Sequence, residues 1–260
     1  IFNLSFREFL RFKNKHYDLS KSAFDWQLRE LKKFYLEYAF YGGYPEVVLD
    51  TMAEEKEKKL QQIISTYVQK DVRDLANVHN ITKFNNLLKL LAEQSGQLIN
   101  VAAIADVLKS DSATVDKYIA ILENTYVVKL VRPFSRSAKV EISKAPKVFF
   151  YDTGLLQILL RGRLIQELSG NVLETSVFGE LVKKYGQRGV YFWRNRNQTE
   201  IDFIIERRGE ILPVEVKKNF RNFRARSVVS FCKKYKLNDY KVAGLEGDKR
   251  DDHYIYPWEL

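Results

Sequence analysis

Two carboxylates and one lysine in the C-terminal region lie where a β-hairpin would bring them together. Asp202 interrupts an apolar, strand-like run, and Glu215 and Lys217 belong to the run that follows. Side chains alternate between the two faces of a strand, so Glu215 and Lys217 share one face. A turn at about Gly209 can lay Asp202 beside Glu215 on the neighbouring strand. The sequence therefore predicts two carboxylates and an ammonium converging at the edge of a hydrophobic sheet.

Metal-dependent hydrolysis of a phosphodiester needs such a set. Carboxylate oxygens bind Mg²⁺ or Mn²⁺, and the metal polarises the phosphate and lowers the pKa of a bound water. A nearby lysine orients that water or balances the charge that develops on the phosphate. A Glu-x-Lys triplet alone is common by chance, so the interpretation depends on the ordered set.

The order of these residues resembles the PD-(D/E)xK nuclease superfamily. The resemblance implies Asp202 and Glu215 as metal ligands and Lys217 as the catalytic lysine. It also implies a glutamate from an upstream helix, for which Glu174 is the first candidate and Glu180 the second. The proline of the family's name is absent, because isoleucine precedes the aspartate. The implied fold is a restriction-endonuclease-like α/β domain with a central mixed sheet.

Three regions differ in the period of their apolar residues, and together they predict a multidomain chain that is mainly α and then α/β. Region 1–78 is helical, with helices expected over 24–39 and 53–75. Region 79–160 is expected to have helices over 83–93 and 101–108, a third that begins after a cap at Asp111 or Ser112, and strands over 127–131 and 147–151. That order is typical of a winged helix-turn-helix. Region 161–260 is expected to have helices over 172–185 and 225–235, with strands over 190–193, 200–205, 211–216, 240–243 and 254–256.

Several side chains of the predicted winged helix-turn-helix could contact DNA. A recognition helix beginning near Ser112 would present Ser112, Thr114 and Lys117 to a major groove. Basic residues of the strands and their loop could contact phosphates: Lys129, Arg132, Arg136, Lys139, Lys144 and Lys147. Asp111 and Asp116 would repel phosphate there, and winged helices also serve as protein-contact modules, so both interpretations stay open.

Further basic residues lie in the predicted nuclease-like domain. Arg194 and Arg196 are in the turn before the Asp202 strand, and Arg221 and Arg224 follow Lys217. In that fold they would lie near the active edge and could follow a nucleic-acid backbone, although an ordinary solvated face is the simpler explanation.

Composition favours a polyanionic partner. The chain has 43 basic and 33 acidic residues, for a formal net charge of +10, and such an excess attracts nucleic acid, most simply DNA. The single cysteine, Cys232, excludes an internal disulfide and fits a reducing cytoplasm. No uncharged apolar run reaches roughly 18 residues, so no membrane span is expected. The three histidines lack metal-ligand spacing.

A second resemblance extends over nearly the whole chain. Five motifs occur in order: Leu4-Ser5-Phe6-Arg7-Glu8-Phe9-Leu10, Tyr41-Gly42-Gly43-Tyr44-Pro45-Glu46, Lys70-Asp71-Val72, Phe150-Tyr151-Asp152-Thr153-Gly154-Leu155 and the Asp202/Glu215/Lys217 set. Together they resemble the C-terminal part of a prokaryotic AAA+-type ATPase family. Its members have a P-loop ATPase module, then a helical and winged-helix section, then a nuclease-like domain.

No glycine of this sequence is followed by lysine, so a P-loop is absent. ATP would bind only through a module upstream of Ile1, and the chain alone should not hydrolyse ATP. The first residue is isoleucine and the only methionine is Met52, which predicts a fragment. The resemblance also implies a possible homo-oligomer of the full-length protein.

Three hypotheses follow from the sequence. The first is a DNA-binding fragment of an ATPase with a Mg²⁺- or Mn²⁺-dependent nuclease site. The second is a catalytically inert nuclease-fold scaffold that binds DNA or a protein partner for the ATPase. The third, a stand-alone transcription factor, leaves Asp202, Glu215 and Lys217 without a purpose and ranks last.

Overall fold

The N-terminal part of the chain is helical. A computed structural model describes residues 3–19, 24–66, 80–137, 144–195 and 197–260, and within them the chain is mixed α/β. The first helices are α1 (Phe6–Phe12), α2 (Asp25–Tyr41), α3 (Pro45–Val48) and α4 (Ala53–Ile63). α2 ends at Gly42, whose φ of 77° suits glycine. The last part of the predicted helix 53–75 and the predicted boundary at 78 lie outside the described residues.

Three helices and a two-stranded sheet come next. They are α5 (Ile81–Glu93), α6 (Val101–Leu108), α7 (Ser112–Asn124), β1 (Val128–Val131) and β2 (Lys147–Phe150). Asn100 caps α6 and Asp111 caps α7 by accepting hydrogen bonds from backbone N–H groups, which confirms both predicted helix starts. β1 and β2 are antiparallel. On its other side β2 pairs with the segment 95–98, through bridges from Ser95 and Leu98.

The rest of the chain forms helices and a larger sheet. Its helices are α8 (Thr153–Arg161), α9 (Gly170–Tyr185) and α10 (Arg226–Tyr235), and its strands are β3 (Val190–Arg194), β4 (Glu200–Arg207), β5 (Glu210–Asn219), β6 (Lys241–Glu246) and β7 (Tyr254–Ile255). Short 3₁₀ turns occur at Phe220–Asn222 and Pro257–Glu259. Asp152 caps α8, a helix that the sequence analysis did not predict.

The larger sheet is mixed and has the order β3-β4-β5-β6-β7. β3, β4 and β5 are antiparallel neighbours, whereas β6 and β7 join in parallel. The predicted turn at Gly209 has a φ of 84°, and the register pairs Phe203 with Val214. One position further along, Asp202 lies opposite Glu215. The predicted location at a sheet edge is wrong, because β5 is the middle strand and only 5% of Glu215 is exposed.

One aromatic contact joins the two sheets through α9. The Phe178 ring stacks on Phe149 of β2, with centroids 4.8 Å apart, and lies 6.3 Å from Phe203 of β4. All three rings are fully buried. Truncating such a ring costs about 3–5 kcal/mol, so β2 is held firmly against the helix that carries Glu174. None of the helices in the described ranges is long and apolar enough to span a bilayer.

Candidate functional site

Three oxygens converge on the ammonium of Lys217. Its Nζ lies 2.9 Å from Glu215 Oε2, 2.9 Å from the Val216 carbonyl oxygen and 3.3 Å from Asp202 Oδ2. The Val216 N–H donates to the same Asp202 oxygen at 2.7 Å. The hairpin of β4 and β5 therefore brings together the three side chains that the sequence analysis singled out.

Burial and mutual repulsion perturb these carboxyl groups. Burial, and then the charge of Asp202, raise the pKa of Glu215. Burial also acts to raise the pKa of Asp202, but the Lys217 charge and hydrogen bonds from Glu215 and the Val216 N–H outweigh it, so that pKa is lowered. The pKa of Lys217 is raised, because its two carboxylates outweigh its burial. Asp202 thus carries the negative charge, and Glu215 is the group that retains a proton.

A second group of charges adjoins the first. Lys147 of β2 has its Nζ 3.3 Å from Glu174 Oε1 on α9 and 2.5 Å from Glu200 Oε1 on β4. Burial, and then the Asp202 charge, raise the pKa of Glu174 to about 7, although Lys147 opposes that shift. The Asp202 charge also acts on Lys147. The two groups therefore form one electrostatic unit, which we call the charged cluster: Lys147, Glu174, Glu200, Asp202, Glu215 and Lys217.

Lys147 corrects one prediction and adds a residue that sequence reasoning missed. It was expected to contact phosphate from the wing, but only 3% of it is exposed. Its ammonium is directed at Glu174 of α9 and Glu200 of β4 and away from solvent. The signal in the sequence was weak: a lysine at the start of a strand whose other residues are all apolar.

The donor set suits a hard divalent cation. Among the described residues, no three His, Cys, Asp or Glu side chains form a metal-binding group. Two carboxylates and one backbone carbonyl nevertheless surround the Lys217 ammonium, so these oxygens already hold a positive charge. Mg²⁺ and Mn²⁺ prefer such oxygen ligands.

The two candidate glutamates of α9 have different surroundings. Glu174 belongs to the charged cluster, as described above. Glu180 accepts hydrogen bonds from the Tyr38 hydroxyl at 2.6 Å and from the Phe6 N–H at 3.1 Å. Lys183, one turn further along α9, donates to the Leu4 carbonyl at 2.8 Å. Glu180 therefore holds the N-terminal segment and is not directed at Asp202.

The residues predicted to read DNA are only partly available on α7. Ser112 and Lys117 are exposed. The Thr114 hydroxyl, in contrast, donates to the capping carboxylate of Asp111 at 2.7 Å. Asp116 is exposed on the same helix. The predicted recognition helix thus presents carboxylates as well as a cation.

The predicted phosphate-binding residues are scattered. Lys129 pairs with Glu123 at 2.9 Å, and the exposed Arg136 lies over the Tyr235 ring at 5.5 Å. Arg132 is half-buried. Arg194 lies 3.7 Å from Glu200.

The remaining predicted phosphate contacts are just before β2, near the end of β5, or outside the described residues. Lys144 is exposed before β2. Arg221 and Arg224 are exposed beyond the end of β5, and Arg224 donates to the Arg221 carbonyl at 3.0 Å. Lys139 and Arg196 lie outside the described residues.

Comparison with known proteins places the chain in a family. Residues 32–164 match the sequence profile of a family described as "Domain of unknown function (DUF8612)", which is more than half of the 260 residues. The chain belongs to the DUF8612 family. In this DUF8612 member, residues 169–258 match a second profile, "Domain of unknown function (DUF4143)". Lys147 comes from the first matched segment and the carboxylates of the charged cluster from the second.

Three relatives of this DUF8612 chain are named only as uncharacterized proteins. An uncharacterized protein of Haemophilus influenzae is 33% identical over 226 residues, covering 83% of this chain and 52% of that protein. One from Methanocaldococcus jannaschii is 27% identical over 79% of this chain and 46% of that protein. One from Mycobacterium tuberculosis is 26% identical over 73% of this chain and 44% of that protein. The chain spans about half the length of these relatives. No solved structure matches it.

Proposed function

We propose that this chain is the nucleic-acid-binding, C-terminal part of a prokaryotic AAA+-type ATPase, with a Mg²⁺- or Mn²⁺-dependent phosphodiester-cleaving site in its last domain. The observation that carries the proposal is the convergence of Asp202, Glu215 and the Val216 carbonyl on one positive charge. DNA is the nucleic acid we expect, and a reducing cytoplasm is the compartment that a single cysteine favours.

The chemistry follows from the donor set. Asp202, Glu215 and the Val216 carbonyl would hold the cation, which supplies a polarised phosphate and a bound water of lowered pKa when present. Lys217 contributes a positive charge that stabilises charge developing on the phosphate. Glu174, kept on the same side by Lys147, adds a carboxylate to the negative field that attracts the cation.

The architecture supports the proposal in two ways. The order of α5, α6, α7 and the β1–β2 pair is compatible with a winged helix-turn-helix, and α9 followed by β3 to β7 is compatible with a restriction-endonuclease-like domain. The DUF4143 domain is commonly found in C-terminal regions associated with AAA-type ATPases. The relatives are about twice as long as the matched segment, which leaves room for an ATPase module in them.

A metal titration tests the site. We expect Mn²⁺ to bind the wild-type chain with one site per molecule, measured by calorimetry, and Asp202→Asn to abolish this binding. Glu206→Gln is the matched control, because Glu206 is an exposed carboxylate on the same strand. Equal Mn²⁺ affinity in wild type and Asp202→Asn would remove Asp202 from the site.

A second function has one observation in its favour. The Lys217 ammonium lies between Asp202 and Glu215, and no three-carboxylate metal group exists among the described residues. This arrangement favours an inert nuclease-fold scaffold that binds DNA or a protein partner for the ATPase. The scaffold predicts DNA binding with a steep salt dependence and no cleavage. The partner-binding form predicts no DNA affinity even at low salt.

A further inference from the structure

A basic groove lies between the base of the β1–β2 pair and the outer strand of the large sheet. It has a volume of about 420 Å³, and we call it the junction groove. Its polar lining comes mainly from six residues: Lys144, Arg194, Asn195, Asn197, Lys234 and Tyr235. Among the described residues, no aspartate or glutamate lines it.

The walls of the groove are fixed by backbone bonds. The chain after β1 pairs with β3, because the Phe134 N–H donates to the Phe192 carbonyl at 2.6 Å and the Phe192 N–H donates to the Arg132 carbonyl at 3.1 Å. Phe134 packs edge-on against Tyr235 of α10, with ring centroids 5.4 Å apart. The groove is thus formed before any ligand arrives.

The groove concentrates positive charge, and two of its lysines are not neutralised by the described residues. Within the ranges that the structure describes, neither Lys144 nor Lys234 makes an ion pair, and both are exposed. Lys234 Nζ lies over the Tyr235 ring at 5.1 Å, which orients it along the groove wall. Arg136 faces the same ring at 5.5 Å. Because the two lysine ammonium groups pair with no carboxylate of the described residues, an anionic ligand would supply a partner.

α7 contrasts with the groove. Asp111 caps its first turn, Asp116 is exposed in the next turn, and Lys129 of β1 is paired with Glu123 near the end of the helix. Phosphates would meet exposed carboxylates beside Lys117 there, whereas the described lining of the junction groove has cations and no carboxylate.

We propose that the junction groove, not the face of α7, is the main nucleic-acid contact of this chain, and that it holds the sugar–phosphate backbone of one strand. This inference rests on the proposed function. Lysine and arginine side chains along a groove follow a phosphate backbone, and the two asparagines add neutral donors.

The groove also leads to the charged cluster. Arg194 on its wall lies 3.7 Å from Glu200, which pairs with Lys147 of the charged cluster. A strand held in the junction groove therefore lies beside the residues of the candidate site.

Salt-dependent DNA binding tests this inference. Binding of a labelled oligonucleotide is followed by fluorescence anisotropy at several salt concentrations. The groove variant is Lys144→Gln/Lys234→Gln, and the control Lys89→Gln/Lys233→Gln removes the same charge from exposed lysines that do not line the groove. Lys233 is the chain neighbour of Lys234 on α10, which makes it a close match.

We expect the groove variant to bind about tenfold or more weakly at low salt. The slope of log affinity against log salt should fall by roughly 1.5, as expected for two lost phosphate contacts. The control should keep the wild-type slope. An equal loss in both variants would show general charge attraction and overturn the inference. Wild-type affinity in the groove variant would also overturn it and leave the groove to an acidic protein partner. Absence of wild-type binding at low salt would instead overturn the proposed function itself.

Discussion

Replacing Lys147 should destabilise the protein far more than replacing an equivalent lysine of the neighbouring strand. Only 3% of Lys147 is exposed, and its ammonium pairs with Glu174 at 3.3 Å and with Glu200 at 2.5 Å. Removing one partner of a buried ion pair leaves the other charge uncompensated and costs about 3–5 kcal/mol. Lys147→Met should therefore lower the free energy of unfolding by about that amount.

Lys129→Met is the matched control. Lys129 lies on β1 and pairs with Glu123 at 2.9 Å, but about a quarter of its side chain is exposed. A pair so open to water contributes roughly 0–1 kcal/mol. The free energy of unfolding of Lys129→Met should thus fall by at most about 1 kcal/mol. A larger fall would remove the contrast with Lys147→Met.

Urea unfolding followed by tryptophan fluorescence measures both losses, provided that the transitions keep the same slope. The variant Lys147→Met/Glu174→Gln/Glu200→Gln removes the uncompensated carboxylates and should regain part of the stability. Equal losses in Lys147→Met and Lys129→Met, or no recovery in the triple variant, would refute the assignment of Lys147 to a buried ion pair.

Two further predictions concern buried carboxyl groups. Asp152 accepts hydrogen bonds from Asn3 Nδ2 at 2.7 Å, from the Gly43 N–H at 2.8 Å and from the Leu155 N–H at 3.0 Å. Asp152→Ala should lower the free energy of unfolding, measured in urea, by about 3–5 kcal/mol. Asp152→Asn keeps one acceptor oxygen and should lower it less. Folding raises the pKa of Glu174 from 4.5 to about 7. Because the folded chain binds that proton more tightly than the unfolded chain does, the free energy of unfolding should fall as the pH rises from about 4.5 through 7. Glu174→Gln should flatten that fall, and an unchanged pH dependence of unfolding would contradict the pKa assignment.

The contact between Asp202 and Glu215 could be predicted from the sequence, because it depends on local rules. Alternation along two strands and a glycine turn determine which residues oppose each other. The start of α7 was predictable for the same reason, since Asp111 accepts a bond from a backbone N–H only three residues away.

The position of Lys147 could not be predicted from the sequence, because tertiary contacts determine it. Its partner Glu174 lies 27 residues further along the chain, and the pairing of segment 95–98 with β2 has no local signature. The central position of β5 was missed likewise, since β6 joins it only after the α10 crossover. Thr114 is a different case: its hydroxyl can serve DNA or the Asp111 cap, and in the structure it donates to the cap, while its DNA contact stays a prediction.

DNA cleavage is the most direct test of the central claim, which is that Asp202, Glu215 and Lys217 form a metal-dependent phosphodiesterase site. Labelled duplex, single-stranded and branched DNA would be incubated with the chain in Mg²⁺ or Mn²⁺, beside Lys217→Ala and the exposed-lysine control Lys218→Ala. We predict metal-dependent cutting by the wild type and by Lys218→Ala, and its loss in Lys217→Ala. Absence of cutting by the folded wild-type chain, or undiminished cutting by Lys217→Ala, would contradict the claim.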